Sequence, residues 1–492
     1  MGTLDWVVIG IFFLALIGII VWVVKQKQND SADYFLGGRD ATWLAIGASI
    51  FASNIGSEHL IGLAGAGASS GMAMAHWEIQ GWMILILGWV FVPFYSRSMV
   101  YTMPEFLERR YNPQSRTILS VISLISYVLT KVAVTVYAGG LVFQQVFGIK
   151  ELWGIDFFWI AAIGLVVLTA LYTIFGGMKS VLYTSVLQTP ILLLGSLIIL
   201  VLGFKELGGW DEMMSICSAV TVNEYGDTMT QLIRDNNDPN FPWLGALVGS
   251  AIIGFWYWCT DQFIVQRVLS GKNEKEARRG TIFGAYLKLL PVFLFLIPGM
   301  IAFALHQKYI GAGGEGFLPL LANGTANADA AFPTLVAKLL PAGVKGLVVC
   351  GILAALMSSL ASLFNSSAML FTIDFYKRFK PETPEKKLVG IGQIATVVIV
   401  ILGILWIPIM RSVGDVLYTY LQDVQSVLAP GIAAAFLLGI CWKRTSAKGG
   451  MWGLIAGMII GLTRLGAKVY YSNTAITDSS MFKYLFYDLN WL

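Results

Sequence analysis

Long apolar segments separated by short polar stretches dominate the pattern of this chain. A membrane-spanning helix needs about 20 mostly apolar residues. Segments of that kind predict twelve helices, numbered here in chain order: Leu4–Val24, Trp43–Gly65, Trp77–Tyr95, Ile118–Phe147, Phe157–Phe175, Leu187–Phe204, Trp243–Val265, Thr281–Leu305, Val344–Phe371, Leu388–Ile409, Asp415–Ile440 and Met451–Leu462. The first segment is too long for a cleaved signal peptide and lacks its basic start, so we predict a mature helix.

Composition supports a polytopic membrane protein. Of the 492 residues, 57% are hydrophobic and only 13% are charged, and the mean hydropathy is +0.71. Soluble domains carry about 25% charged residues, so a soluble enzyme and a disordered chain are excluded. A net charge of +4 over this length argues against a nucleic-acid partner. The four cysteines are scattered and predict neither a disulfide framework nor a metal site.

Lysine and arginine set the predicted orientation, because cytoplasmic loops retain them. Most of these residues fall in loops on one side of the predicted helices, which places the N-terminus outside. The acidic loop 205–242 then also lies outside. Residues 479–492 resemble the start of a further apolar segment, and we favour a thirteenth helix that continues beyond the chain over an interfacial aromatic anchor.

Two of the predicted helices are interrupted by polar residues. Segment two contains the run Ser53–His59, and segment seven contains Thr260, Asp261 and Gln262. Broken helices in corresponding positions of two halves mark the binding site of many transporters. Segments two to six and seven to eleven would form two inverted repeats. The alternative is that each polar run only satisfies hydrogen bonds between neighbouring helices.

Three ionisable residues lie within other segments. Glu78 and Lys288 each cost roughly 2.5–3.5 kcal/mol at membrane depth, which favours a functional role over chance, although Glu78 could instead extend to the outer interface. For Lys131, in the middle of segment four, we expect a structural bond to a neighbouring carbonyl.

Segment nine carries serines at helical spacing. Ser358 and Ser362 share one face, and Ser359 adjoins them. Hydroxyls among small residues usually serve close helix packing. Beside carbonyls released by a broken helix, however, they are suitable ligands for an alkali cation, which takes neutral oxygens.

Five strings together resemble the sodium/glucose cotransporter family of solute:sodium symporters, in particular its sugar-transporting branch. The strings are FASNIGSEHLIGLAGAGA, YTMPEFLERRY, FWYWCTDQFIVQR, LMSSLASLFNS and FLLGICWKR. The resemblance runs from Asp33 into segment twelve. It implies an all-α LeuT-type fold, a 5+5 inverted repeat with an extra N-terminal helix and at least one extra C-terminal helix. The implied divisions are an N-terminal helix and linker (1–42), a first repeat (43–204), an external loop (205–242), a second repeat (243–444) and a C-terminal region (445–492).

The resemblance also implies a site, residue by residue. The coupling sodium would bind the carbonyls of Ala52, Ile55 and Ala355 and the hydroxyls of Ser358 and Ser359. The sugar site would comprise Asn54, His59, Glu78, Lys288 and Gln422 as hydroxyl partners, with Tyr257 as an inner gate and Trp258 against the sugar ring. Mixed amide, carboxylate, imidazole and ammonium groups suit a hexose, whose hydroxyls both donate and accept hydrogen bonds.

Four positions depart from the family pattern. Ser185 stands where sugar-branch members often have Asp, and Ala361 where two-sodium members have a hydroxyl. These two changes predict a single coupling sodium. Thr419 and Gln425 stand where animal glucose carriers have Asp and Thr, and they bear on the floor of the sugar pocket.

The function implied is sodium-coupled import of a hexose, glucose or galactose, through a plasma or bacterial inner membrane, by a protein that works as a monomer. The alternatives are symport of myo-inositol or another polyol, and a sugar-gated sodium conductance. An anionic substrate is disfavoured because no additional arginine is expected in the pocket. We predict no enzymatic activity, since nothing in the sequence resembles a nucleophile–base pair or a metal triad, and no P-loop indicates use of ATP.

Overall fold

The computed structural model describes residues 1–26, 28, 30–56, 58–238, 240–321, 324–413, 417–472, 481–483 and 485. Within these ranges the side chains of residues 129–130, 145, 409–424, 468–469 and 472 are not described. Most of the predicted C-terminal apolar segment therefore lies outside the described residues, and the thirteenth helix stays a prediction.

Helices account for nearly all the regular structure of the N-terminal half. The α-helices are α1 (Thr3–Val24), α2 (Ser31–Leu36), α3 (Trp43–Asn54), α4 (Ala64–Ser70), α5 (His76–Ile79), α6 (Met83–Ile86), α7 (Val92–Ser98), α8 (Met103–Arg110), α9 (Pro113–Ser126), α10 (Ala133–Phe147), α11 (Phe157–Leu207) and α12 (Trp210–Ser218). Wider π-turns continue the helices at Glu58–Leu63, Leu87–Phe91 and Tyr127–Val132, and 3₁₀ turns lie at Gly37–Arg39, Gly71–Ala75 and Gln80–Trp82. A short antiparallel hairpin, β1 (Glu151–Leu152) and β2 (Ile155–Asp156), precedes α11.

The second half repeats this character. Its α-helices are α13 (Trp243–Gly254), α14 (Gln262–Leu269), α15 (Glu274–Leu287), α16 (Ile297–Gly311), α17 (Ala331–Leu339), α18 (Val344–Met369), α19 (Lys377–Phe379), α20 (Glu385–Val413), α21 (Leu417–Cys441), α22 (Ala447–Ser472) and α23 (Met481–Lys483). The π-turns lie at Phe255–Thr260, Val292–Leu296 and Leu370–Tyr376, and a 3₁₀ turn at Ala328–Ala330.

Apolar helices lie at the positions of the predicted membrane-spanning segments. Among the described residues, eight helical stretches are long and apolar enough to cross a membrane, and three shorter apolar helices accompany them. Each of the twelve predicted segments contains at least part of one of these helices. The eleven stretches are one fewer than the twelve segments because segments five and six, which meet at a bend, fall within one stretch. Segment two is divided, and its second part joins segment three in one stretch.

The helix α18 is much more deeply buried than α1 and α22. In α18, 89% of the most apolar stretch is buried within the protein, compared with 22% in α1 and 22% in α22. The central helix packs against α1, α3, α11 and α20. Because α1 and α22 face outward, they fit the roles of extra helices outside the two repeats.

The long helix α11 bends at one glycine. Gly177 adopts φ 54° and ψ −148° inside an otherwise helical stretch, a conformation that residues with a Cβ rarely adopt. A Cβ at this position would also collide with the carbonyl of Tyr34. The sequence predicted two helices, Phe157–Phe175 and Leu187–Phe204, with a loop between them. The two helices meet at this glycine, and residues 178–186, which were expected in the connection, are helical.

The C-terminal half of segment two lies directly against α16. Ala64 begins α4, and a Cβ built on Gly299 of α16 would coincide with the Ala64 carbonyl. Gly67 approaches the carbonyl of Leu296 in the same way. The two backbones therefore meet with no side chain between them, as small residues permit in membrane helices.

A loop connecting α12 to α13 contacts the C-terminal end of the helix α4 and the turn after it. The Met72 N–H donates to the Met229 carbonyl (2.8 Å), and the buried Arg234 donates to the Ser70 carbonyl. Arg234 also pairs with Asp238 (3.4 Å). These contacts fix the connection 219–242 against the turn that joins the second and third segments.

Candidate functional site

Segment two is broken where the sequence predicted. Helix α3 ends at Asn54, Ile55 is extended (φ −78°, ψ 104°), and helical structure resumes at Glu58. The last carbonyls of a helix have no N–H partner within it. We call this interruption the first break, and it leaves the predicted sodium-ligand carbonyls of Ala52 and Ile55 at or just beyond the end of a helix.

Segment seven is broken at Asp261, which is extended (φ −73°, ψ 128°). Its carboxylate caps α14 by accepting the N–H of Phe263 (3.1 Å). The same carboxylate pairs with Lys131 (2.6 Å) and accepts the hydroxyl of Tyr127. Lys131 thus binds a carboxylate, and our expectation of a carbonyl partner was wrong. We call this interruption the second break.

Six of the predicted sugar-site residues lie together between the two breaks. They are Asn54, His59, Glu78, Tyr257, Trp258 and Lys288, and we refer to them as the substrate cluster. All but Tyr257 are less than 9% exposed. The seventh predicted residue, Gln422, lies on α21, but its side chain is outside the described residues.

Lys288 is the centre of the substrate cluster. Its ammonium group pairs with Glu78 (2.6 Å), lies 2.9 Å from Nε2 of His59 and donates to the side-chain oxygen of Asn54. It also lies 5.6 Å from the ring centroid of Trp258. A buried cation requires such partners, and these four residues come from three of the predicted segments: two, three and seven.

The remaining contacts join the cluster to the second break. The Asn54 amide donates to the hydroxyl of Tyr257 (3.0 Å), and His59 lies 3.1 Å from Glu78. Tyr257 in turn lies 4.8 Å, at its ring centroid, from the ammonium group of Lys131. The substrate cluster is therefore a connected polar network rather than a set of separate buried groups.

A cavity of about 60 Å³ opens onto the cluster. Besides the cluster residues, its lining includes Glu58, Trp77, Gln80, Ile253 and Gln425. Two buried polar atoms near it, Nδ1 of His59 and the side-chain oxygen of Gln80, have no hydrogen-bond partner in the described part of the chain. Buried polar groups are normally paired, so the cavity offers free hydrogen-bonding capacity to a polar ligand.

Sequence reasoning did not include Gln80 or Trp77 in the site. Both lie in the string HWEIQGW around Glu78, where α5 and a 3₁₀ turn adjoin. A helical period places Gln80 on another face than Glu78, and the tighter turn brings it to the cavity. Gln425 does line the cavity, in agreement with the expectation that it bears on the pocket floor.

Serine hydroxyls connect the first break to α18. Ser53 and Ser362 are 2.8 Å apart at their hydroxyl oxygens, and Ser362 donates to the carbonyl of Ser358 (2.6 Å). The predicted sodium ligands Ala355, Ser358 and Ser359 are all buried on this helix. Neutral carbonyl and hydroxyl oxygens of this kind suit sodium as a co-transported ion.

Ser185 belongs to the same set of serines whose hydroxyls lie close together. Its hydroxyl donates to the Val181 carbonyl (2.6 Å) and lies 3.1 Å from the hydroxyl of Ser358. Since each hydroxyl has one hydrogen, the shorter bond to Val181 leaves Ser185 as the acceptor for Ser358. The hydrogen of Ser358 then points toward Ser185, and the oxygen keeps a lone pair for another partner.

Comparison with known proteins gives the family. The model of the sodium:solute symporter family matches residues 34–457. The chain belongs to this family. Human "Sodium/myo-inositol cotransporter 2" is 39% identical over 475 residues, which are 94% of this chain and 69% of the relative. Mouse "Sodium/glucose cotransporter 4" is 38% identical over 487 residues, 96% of this chain and 70% of that relative.

Structural comparison agrees on the fold of this symporter. A solved Na⁺-coupled sialic acid symporter superposes with a TM-score of 0.75 at 22% identity, covering 94% of this chain and 98% of that one. The protein has the LeuT-type fold with two five-helix inverted repeats. The predicted family and fold class are confirmed, and the chain is a multi-pass membrane transporter rather than an enzyme. Symport of a solute with sodium as the coupling ion is its activity.

Proposed function

We propose that this symporter imports a hexose, glucose or galactose, together with sodium. The observation that supports it is the substrate cluster, where a carboxylate, an ammonium, an imidazole and an amide converge on one cavity. Each hexose hydroxyl both donates and accepts hydrogen bonds, so a mixed set of this kind is complementary to it. Sites built to bind hydroxyls strongly reject analogues that lack them.

Binding would exchange internal bonds for bonds to the sugar. In the structure Lys288 reaches from Asn54 to Glu78 across the cluster, and the open cavity holds only a few water-sized volumes. A hexose that displaces some of these contacts supplies hydroxyls to the freed groups and to His59 and Gln80. Trp258 offers an apolar face to the sugar ring, and Tyr257 lies between the cluster and the second break as an inner gate.

Sodium binds, in this proposal, at the first break and α18. The proposed ligands are the carbonyls of Ala52, Ile55 and Ala355 and the hydroxyls of Ser358 and Ser359. The bonds between Ser53, Ser362 and Ser358 already tie these two elements together. An ion here would depend on the geometry of the same break that supplies Asn54 to the sugar.

A polyol is the second candidate substrate. Several relatives at 37–39% identity carry the name sodium/myo-inositol cotransporter, and myo-inositol is a ring of hydroxyls like a hexose. The substrate cluster recognises hydroxyls and does not by itself distinguish the two rings. The chain would work as a monomer in a plasma or bacterial inner membrane, with its N-terminus outside.

Uptake into proteoliposomes tests the proposal. Tritiated glucose should accumulate under an inward sodium gradient and stop accumulating when potassium replaces sodium. Unlabelled glucose, galactose and myo-inositol should then be compared as competitors. Tritiated myo-inositol should be tested in parallel with tritiated glucose. Accumulation of myo-inositol without accumulation of glucose would select the polyol, and a sodium current without accumulation of either would identify a sugar-gated conductance instead.

We further propose one sodium per sugar, because Ser185 and Ala361 replace both family markers of a second ion. A tenfold sodium gradient supplies about 1.4 kcal/mol, and 100 mV adds about 2.3 kcal/mol per charge. One ion then concentrates sugar roughly 500-fold, whereas two would reach on the order of 10⁵-fold. The reversal potential of the sugar-coupled current measures the ratio, and a value that requires two ions refutes the proposal.

A further inference from the structure

Two adjacent residues at the first break contact two different sites. Asn54 bonds to Tyr257 and Lys288 in the substrate cluster. Ser53, one residue earlier, bonds to Ser362 on α18 and to Arg267 on α14. Neighbouring residues of one helix end therefore point toward the proposed sugar site and the proposed sodium site.

The bonds through Ser53 have a fixed direction. The Arg267 Nε–H can only donate, and it lies 3.0 Å from the Ser53 hydroxyl oxygen. Ser53 must accept this bond, so its single hydrogen goes to Ser362 (2.8 Å). Ser362 in turn donates to the carbonyl of Ser358 (2.6 Å). The resulting relay runs from Arg267 through the hydroxyls of Ser53 and Ser362 to the backbone carbonyl of Ser358, whose own hydroxyl is a proposed sodium ligand.

Arg267 is an unusual origin for such a relay. Its side chain is fully buried, and its two terminal nitrogens have no hydrogen-bond partner among the described residues. The Ser53 hydroxyl is thus the side-chain acceptor for this guanidinium in the described structure. Arg267 also belongs to the half-helix that follows the second break, so the relay joins both broken helices.

We propose that Ser53 and Arg267 are positioning residues that couple sodium binding to sugar binding. The proposal rests on the function proposed above. Sodium bound between the first break and α18 fixes the distance between Ser53 and Ser362. Because Asn54 follows Ser53 directly in α3, this also fixes the position of the Asn54 amide that binds the sugar. Arg267 fixes the direction of the hydrogen bonds in the relay, because it can only donate. It also connects the relay to α14, the half-helix that follows Tyr257.

Coupling of this kind is a free energy shared by two sites, and it acts equally in both directions. It is measured by the ratio of the sugar Kd without sodium to the sugar Kd with sodium. A residue that only supports the fold changes both constants by similar factors and leaves the ratio unchanged. A relay residue changes the ratio itself.

The experiment measures equilibrium binding of tritiated glucose, or tritiated myo-inositol if the uptake experiment selects it, to the purified full chain. Binding is measured in sodium and in choline buffer for wild type, Ser53→Ala, Ser53→Thr and Ser362→Ala. In Ser362→Ala the Ser53 hydroxyl still accepts the hydrogen bond from Arg267, so this variant interrupts the relay without leaving the buried guanidinium unpaired and is less prone to misfold. Ser270→Ala is the matched control, a buried serine beside α14 whose hydroxyl donates to the carbonyl of Gln266 (2.9 Å).

We expect the wild-type ratio to fall in the usual range for coupled sites, about 5- to 150-fold. Ser53→Ala and Ser362→Ala should bring it to within about twofold of one, whereas Ser53→Thr and Ser270→Ala should keep it. The double variant Ser53→Ala/Ser362→Ala should lose no more coupling than either single variant, since both interrupt one relay.

A wild-type ratio in Ser53→Ala and Ser362→Ala overturns the relay while the proposed function stands. A wild-type protein whose sugar affinity does not respond to sodium overturns the proposed function and the relay with it. Loss of the ratio in Ser270→Ala as well would show that any buried serine change has this effect, and would also overturn the relay.

Discussion

The two broken helices occupy corresponding positions in the two repeats, yet they are completed differently. At the first break α3 ends at Asn54 and Ile55 is extended, so the last carbonyls of α3 have no N–H partner within the helix. At the second break Asp261 caps α14 itself and is neutralised by Lys131. A helix break that supplies its own charge balance is a structural joint, and one that leaves oxygens free is suited to a cation. Pseudosymmetry of the backbone thus does not imply equal chemistry at the two breaks.

Removing Lys131 should have the largest effect on stability. Lys131→Ala leaves the buried carboxylate of Asp261 without its cation, and breaking a buried pair costs about 3–5 kcal/mol. We expect a markedly lower unfolding temperature of the purified protein in detergent. The double variant Lys131→Met/Asp261→Asn should recover most of this loss. A single Lys131→Ala variant as stable as wild type would show that the second break does not depend on its own ion pair.

At the proposed sodium site, between the first break and α18, we expect a loss of sodium affinity instead of a loss of stability. Ser359→Ala removes a proposed sodium ligand, and we expect the sodium concentration for half-maximal uptake to rise at least about tenfold, or 1.4 kcal/mol. Ser367→Ala is the control, because it removes another buried hydroxyl from the same helix. An unchanged sodium dependence in Ser359→Ala would place the ion elsewhere.

Between the breaks, the substrate cluster should respond in sugar affinity. Glu78→Ala and Gln422→Ala each remove a proposed hydroxyl partner, worth about 1–3 kcal/mol when a buried group is left unpaired. The sugar Kd should weaken by about tenfold or more in equilibrium binding. Gln393→Ala on α20, whose amide donates to the Ile174 carbonyl (3.1 Å), should leave it unchanged. Wild-type affinity in the first two variants would remove those residues from the site.

The smallest effect is expected in the connection 219–242, which contacts the turn between the second and third segments. Burial raises the pKa of Asp238. Hydrogen bonds from Asn223, Phe241 and Asn240 and the charge of Arg234 lower this pKa by a larger amount, so it lies below its usual value. A carboxyl with a depressed folded pKa stabilises at neutral pH and loses that contribution as pH falls through the folded value. We expect faster hydrogen exchange in 219–242 only below about pH 4, and no such pH step in Asp238→Asn.

Much of this arrangement was predictable from the residue pattern. The polar runs around Asn54 and Asp261 indicated both breaks because Ser, Asn, Asp and Gly disrupt apolar helices. The resemblance to a known family indicated which side chains would meet. Besides Gln80 and Trp77 at the cavity, two features of the fold escaped prediction. The Lys131–Asp261 pair joins residues 130 positions apart in the chain, and a single non-helical residue, Gly177, separates the helices of segments five and six. Both depend on contacts between helices, which hydropathy along one chain does not record.

The close approach of Gly299 to Ala64 has a consequence for how this protein can diverge. A Cβ at position 299 would occupy the space of a backbone carbonyl, which, unlike a side chain, cannot take another rotamer. Selection at this position therefore acts on volume and is indifferent to polarity, so alanine is excluded for the same reason as aspartate. Side chains that line the cavity can change without touching this contact, whereas any side chain at position 299 would force α4 and α16 apart.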